Sequence, residues 1–339
     1  MHAEAKCVLA VDLGGTKVEA ALVSSDGTLV PGTRFREPTG IGRGSIELAG
    51  SVDAVTKRAL AALPDGAQLI GAGIGSAGPV TLPDGTVSPL NLTAWRGYPL
   101  RAQIEALVPD VPVTLRGDGL CITLAEHWIG AARGSDNVLG MIVSTGVGGG
   151  LILGGRAVPG PTGNAGHIGH IEVAGFDDPC PCGGQGCLET IASGPGSVRW
   201  ARERGFTGET GEELASAYAD GNAVAMQAVH RAGRAIGQAI ASASSLVDLD
   251  VVVIGGGFSH VAPDLFDVIR ESVASRAAFE YVRRVKIVAA GTSTEGPLVG
   301  AAALRHRPHV IDEQGQPQSR RAQRLERNEP APARKEVRS

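Results

Sequence analysis

The chain has 339 residues, enough for about two domains, and its 43% hydrophobic and 19% charged residues are ordinary for a globular protein. A formal net charge of -4 gives no reason to expect nucleic acid or a membrane surface as partner, and 4% aromatics argue against stacking platforms for single strands. No apolar run reaches the ~18 residues that span a bilayer, and the polar start from Met1 to Lys6 is no signal peptide, so the chain reads as cytoplasmic.

Cys7 to Val11 is an apolar, β-rich run that ends at Asp12, and Val18 to Val23 reads as its partner across a Gly-Gly turn. Asp26-Gly27 signals a hairpin, with Thr28 to Val30 pairing back. Ser45 to Leu63 has helical spacing, with Ile46, Leu48, Val52, Val55 and Leu60 on its apolar face. Leu69 to Ile74 is a strand, Pro99 to Leu107 a helix, and Val111 to Leu115 a strand running into Gly117-Asp118-Gly119. The pattern then restarts. Leu120 to Ala132 reads as a helix, Val138 to Val143 as a buried strand, and Leu151 to Leu153 as a strand after a Gly-rich turn. This second strand–turn–strand echoes the first and suggests duplication. Ala223 to Leu246 is a long helix, Val251 to Ile254 and Val285 to Ala289 are strands, and Gly296 to Leu304 closes the pattern as a helix. From about Arg307 the chain is rich in Arg, Gln, Pro and Glu and reads as a disordered tail.

Three glycine turns follow strands: Asp12-Leu13-Gly14-Gly15-Thr16-Lys17, Ser144-Thr145-Gly146-Val147-Gly148-Gly149-Gly150, and Gly255-Gly256-Gly257. Glycine lets backbone N–H groups approach phosphate oxygens closely. Thr16 adds a hydroxyl, and Asp12 is suited to the water shell of a metal ion. The first turn has neither the spacing of a Walker A loop nor the helix that follows a Rossmann fingerprint. Two such turns facing each other across a cleft would clamp a triphosphate, with the third taking a nucleoside. A separate cluster, His167 and His170 followed by Cys180, Cys182 and Cys187, offers three thiols within eight residues and a nearby imidazole. That is a donor set for a closed, structural tetrahedral zinc site, favoured in a reducing compartment over three free thiols or a disulfide plus one thiol.

These motifs together resemble the ROK family of bacterial sugar kinases over roughly residues 7–305. The resemblance implies an α/β, two-domain actin/hexokinase-like ATPase fold with a cleft between domains. One domain would span 1–117, completed by the helix near 296–305, and the other 118–295, with 307–339 as tail. It implies ATP and Mg²⁺ on the phosphate turns (Asp12, Gly14, Gly15, Thr16, Lys17, Thr145, Gly146, Gly255, Gly256, Gly257). It implies structural Zn²⁺ on His170, Cys180, Cys182 and Cys187. Asp118 falls on the family's catalytic base, and Gly78, Asn91, His167, His170 and Glu189 fall on sugar-facing positions. The family's repressors carry an N-terminal DNA-binding module, for which the six residues before the first strand leave no room. A homo-oligomer is the family's habit.

Two departures bear on the acceptor. The family has Asn before the catalytic Asp and again two residues after it, where this chain has Gly117 and Leu120. Typical glucokinases have Glu where this chain has His167, and His there is similar to bacterial N-acetylmannosamine kinases. The implied activity is ATP-dependent phosphorylation of a hexose 6-hydroxyl. Glucose is the first acceptor to expect and N-acetylmannosamine or N-acetylglucosamine the alternative. A non-catalytic sugar-binding regulator is the reading from another class.

Overall fold

The computed structural model describes residues 5–40, 42–292 and 294–311. In chain order its elements are β1 (Lys6–Leu13), β2 (Lys17–Ser24), β3 (Phe35–Pro38), α1 (Ser45–Ala61), β4 (Gln68–Ser76), β5 (Val80–Thr81), β6 (Thr86–Val87), α2 (Leu100–Leu107), β7 (Val113–Gly117) and α3 (Asp118–Trp128). They continue with β8 (Val138–Val143), β9 (Val147–Leu153), β10 (Arg156–Ala157), α4 (Leu188–Ala192), α5 (Gly194–Arg202), α6 (Gly211–Ala219), α7 (Ala223–Val247), β11 (Val251–Gly255), α8 (Leu265–Arg276), α9 (Glu280–Arg283), β12 (Lys286–Ala289) and α10 (Gly296–His306).

The sequence echo is a repeat of topology. One sheet has the order β3-β2-β1-β4-β7 and the other β10-β9-β8-β11-β12. In each, the first two main strands form an antiparallel hairpin (β1/β2, β8/β9) and parallel strands extend the far side. β1 reads as a continuous apolar run because both faces are covered. Leu9 and Val11 pack with Leu48, Val52 and Val55 of α1. Val8 and Ala10 pack with Leu298, Ala301 and Ala302 of α10. The second sheet repeats this arrangement. Leu139, Met141 and Ile254 lie against α7 and α8, while Val138, Ile152 and Val253 lie with Leu120 and Leu124 of α3.

Two helices therefore stand between the sheets, α10 on the first and α3 on the second, packed against each other. Glycine permits the contact, since a Cβ on Gly300 would collide with the Cys121 carbonyl; Gly119 does the same for α3 on the second sheet, where a Cβ would strike the Gly149 carbonyl of β9. Glu126 fixes the far end of α3. Its fully buried carboxylate accepts from the N–H groups of Ala131, Gly291 and Thr292, at 2.8, 2.9 and 2.8 Å, and from the Thr292 hydroxyl. The connection from β12 to α10 is thus tied to α3.

Several expectations need correction. Thr28 to Val30 makes a single bridge, Leu29 to Val23, and the strand that pairs along β2 is Phe35–Pro38. Ile46 lies off the apolar face of α1, 89% exposed in its first turn. Gly148 to Gly150 belong to β9, so the second turn is confined to Ser144 to Gly146. The tail does not begin at Arg307. Val310 and Ile311 are buried with Ala157, whose N–H donates to the Val310 carbonyl at 2.8 Å. Residues 312–339 of the expected tail lie outside the described residues. Among the described residues no helix is long and apolar enough to cross a membrane.

Candidate active site

The first Gly turn joins β1 to β2. The Gly14 N–H donates to the Lys17 carbonyl and the Thr39 N–H to the Thr16 carbonyl, both at 2.9 Å, while the Thr39 hydroxyl donates to the Gly14 carbonyl. The turn's carbonyls are thereby occupied, and the N–H groups of Gly15 and Thr16 donate to no described residue. Asn91 leans over this turn, its amide nitrogen 3.1 Å from where a Gly15 Cβ would stand. Lys17 is committed elsewhere, with its ammonium 2.5 Å from Glu19. Arg34 and Arg36 reach the same carboxylate at 3.0 and 2.9 Å. Burial pushes the Glu19 carboxyl up, but these three cations outweigh it and hold the group below its ordinary value.

The second turn has the same design on the other sheet. The Ser144 N–H donates to the Gly146 carbonyl and the Gly194 N–H to the Ser144 carbonyl. Glu189, in the first turn of α4, accepts from the Val147 N–H at 2.8 Å. The N–H groups of Thr145 and Gly146 are left without a described acceptor. The third turn packs onto the second. Gly256 has φ +94°, and a Cβ there would collide with the Val143 carbonyl. Gly257 lies beside the Ser144 hydroxyl.

Between the sheets stand two carboxylates. Asp118 is the first residue of α3, directly after β7, and its Oδ1 accepts from the Gly119 N–H at 2.7 Å. Asp12, 7% exposed, is the last residue but one of β1, beside Gly75, whose Cβ position is 3.6 Å from its Oδ1. No described residue donates to the Asp12 carboxylate. Burial, with the negative charges of Asp118 and Glu19, pushes Asp12 up to about 7. Burial likewise pushes Asp118 up to about 6, against the Gly119 hydrogen bond. A buried, undonated carboxylate beside a second one suits a hard divalent cation held through water.

The cysteine segment converges as the spacing predicts. The ligating atoms of His170, Cys180, Cys182 and Cys187 all lie within 4.8 Å of one another. Cys182 and Cys187 sulfurs are 3.6 Å apart, and the Cys180 sulfur is 3.7 Å from His170 Nδ1. Thiolates on a tetrahedral zinc at ~2.3 Å stand about 3.8 Å apart, a spacing the Cys182–Cys187 pair already has, so the donor set fits that ion. A disulfide needs about 2.05 Å, and all five cysteines are free. His167 is exposed, its ring edge-on to His170 at 4.6 Å. Partial desolvation by the chain packed around its ring, with the charge of His170, lowers its imidazole, while Glu189 acts the other way.

The geometry thus groups Asp12, Gly15, Thr16, Gly78, Asn91 and Asp118 on one side, and Thr145, Gly146, Glu189 and the Gly255–Gly257 turn on the other. The sequence reading missed Asn164, whose side chain bonds the backbone of Val80 near Gly78. Its only local signal is the turn Gly163-Asn164-Ala165-Gly166. It also missed the Glu19 cluster, because β3 was not foreseen.

Comparison with known proteins gives a consistent picture. The ROK family model matches residues 8–307. A Streptomyces coelicolor glucokinase is 30% identical over 321 residues, covering 89% of this chain and 98% of its own length. An Escherichia coli N-acetylmannosamine kinase is 32% identical, covering 87% and 97%. The solved ROK family glucokinase from Streptomyces griseus, in complex with glucose and AMPPNP, superposes with a TM-score of 0.75 at 30% identity, covering 89% and 99%. The twice-repeated sheet topology with α3 and α10 between the sheets is the actin/hexokinase-like architecture of these neighbours. From the family match across residues 8–307 and this shared fold, the chain belongs to the ROK family.

Proposed function

We propose that the chain is an ATP-dependent hexose kinase that transfers the γ-phosphoryl group to a sugar 6-hydroxyl, with glucose as acceptor. The observation that carries this reading is Asp118. It is a half-buried carboxyl raised to about 6, at the start of α3, in a chain with two turns that each offer unpaired N–H groups. Phosphoryl transfer needs alignment, charge neutralisation and a base at the acceptor oxygen. A base whose pKa lies just below neutral is ionised at pH 7 yet still basic enough to take the proton in the transition state.

In this reading Asp118 accepts the 6-hydroxyl proton, and the Gly119 N–H fixes which carboxylate oxygen faces the sugar. The N–H groups of Gly15, Thr16, Thr145 and Gly146 hold the donor's phosphate oxygens, and the Gly255–Gly257 turn takes its nucleoside side. Mg²⁺ would neutralise phosphate charge, with Asp12 as the residue that holds its water shell. Zn²⁺ would sit on His170, Cys180, Cys182 and Cys187 as a structural ion, fixing the segment that bears His167 and Glu189.

The departures at Gly117 and Leu120 act differently. Leu120 is 4% exposed in the core against the second sheet, so its side chain is a packing group rather than a sugar ligand. Gly117 faces the Gly163 carbonyl, 3.8 Å from its Cβ position, and leaves room where a polar side chain would stand. That space and the exposed His167 favour one second reading, N-acetylmannosamine as acceptor, whose acetamido group needs volume. The test is ADP release with Mg-ATP against glucose, N-acetylmannosamine and N-acetylglucosamine. Turnover greatest on glucose supports the first reading, and turnover greatest on N-acetylmannosamine supports the second.

A further inference from the structure

The acceptor side of the cleft contains a contact between segments far apart in sequence. Asn164 lies in the loop that leads to His167 and His170. Its side chain reaches Val80, the residue after the Gly78–Pro79 turn. Oδ1 accepts from the Val80 N–H at 3.0 Å, and Nδ2 donates to the Val80 carbonyl at 2.8 Å. Nδ2 also donates to the Thr162 hydroxyl at 3.1 Å. The amide therefore uses its acceptor and both donors, and it pairs with Val80 as a neighbouring strand would. The Leu82 N–H adds a bond to the Thr162 carbonyl at 3.1 Å. Gly163, at φ +102°, brings the loop so close to β5 that a side chain there would strike Val80 and Leu82.

The contact continues to the phosphate side. The Ala77 N–H donates to the Leu13 carbonyl at 2.8 Å, so the Gly75–Pro79 segment is anchored at one end to the first Gly turn. Its other end runs into β5, whose partner β6 is tied to Tyr98 by two backbone bonds from Val87. Ser88 donates to the Pro79 carbonyl, but β5 pairs with β6 in a two-stranded ribbon outside both main sheets. A ribbon of two residue pairs has little stability of its own. Among the described residues, two links hold it to the loop before His167: the Leu82–Thr162 backbone bond and the paired bonds of the Asn164 amide, which are the side-chain link nearest the Gly75–Pro79 turn.

We propose that Asn164 is a positioning residue of the acceptor pocket: by clamping the Val80 backbone, it holds the Gly75–Pro79 turn at a set distance from the His167–His170 segment. Its effect falls on the sugar and spares the nucleotide, because none of the N–H groups assigned to the phosphates bonds to the clamp. The inference rests on the kinase reading above, and the experiment separates the two.

Asn164→Ala removes both bonds to Val80. Asn164→Asp keeps the acceptor for the Val80 N–H but sets a carboxylate against the Val80 carbonyl. Folding of each is checked by thermal midpoint and by zinc content. Two hydrogen bonds of ordinary net strength correspond to about a tenfold or larger change in affinity. The expected result is a sugar KM raised about tenfold or more in both variants, with the ATP KM within about twofold of wild type. A sugar KM within twofold of wild type, or sugar and ATP KM rising together, overturns the proposal. Glucose and N-acetylmannosamine binding are measured by calorimetry in parallel, which needs no turnover. A wild type that binds sugar without phosphorylating it refutes the kinase reading, while the ratio of Kd values still tests the clamp. A wild type that binds neither sugar overturns both.

Discussion

Replacing Asp118 by Asn should make the folded protein more stable while removing the group assigned to catalysis. The side chain keeps its shape, and its Oδ1 still accepts from the Gly119 N–H. What it loses is a charge the site does not solvate. Asp118 is raised from 3.8 to about 6 in the folded chain, chiefly by burial. The folded state thus favours the protonated acid. Relative stability is intact below the unfolded value of 3.8 and is lost as pH rises through about 6. The ionised form costs about 3 kcal/mol at pH 8 and about 0.5 kcal/mol at pH 4. Asn does not carry this cost, so urea unfolding in magnesium-free buffer should show Asp118→Asn more stable than wild type by up to about 3 kcal/mol at pH 8 and nearly equal to it at pH 4. A variant no more stable at pH 8, or equally stabilised at both pH values, refutes the reasoning. Asp12→Asn should behave likewise, and the two gains should not add, because the Asp118 charge is one cause of the rise at Asp12.

Two further outcomes follow from the same site. The base acts ionised, so kcat/KM should fall about tenfold per pH unit below about 6 and level off above it; a rate independent of pH between 5 and 7 would remove Asp118 from that role. Purified protein should carry about one zinc per chain, and Cys182→Ser should lose it with a lower thermal midpoint; metal analysis that finds no zinc in wild type removes the structural-ion assignment.

Much of this was legible in the sequence because period and glycine carry it. β1 and β8 are short apolar runs that end in glycine turns, and both stand where their residues predict. The zinc-type donors converge because their spacing leaves them few other ways to fold. What escaped depended on distant partners. β3 carries one aromatic residue in Phe35-Arg36-Glu37-Pro38, and Arg36, like Arg34 just before the strand, bonds Glu19 on its neighbour. Helix α5 was not foreseen either; Pro195 stands in its first turn and Ser193 is its cap. Asn164 meets Val80 across 84 residues, a pairing that no local pattern encodes.

The central claim is that this cleft phosphorylates a hexose with Asp118 as base. The most direct measurement is ADP release with Mg-ATP and a hexose panel, run side by side for wild type and Asp118→Asn. The account predicts turnover by wild type on glucose or an N-acetylated hexosamine, and a kcat about 10²-fold or more lower in the variant, with sugar binding retained. No turnover by wild type on any hexose, or full turnover by Asp118→Asn, would contradict it.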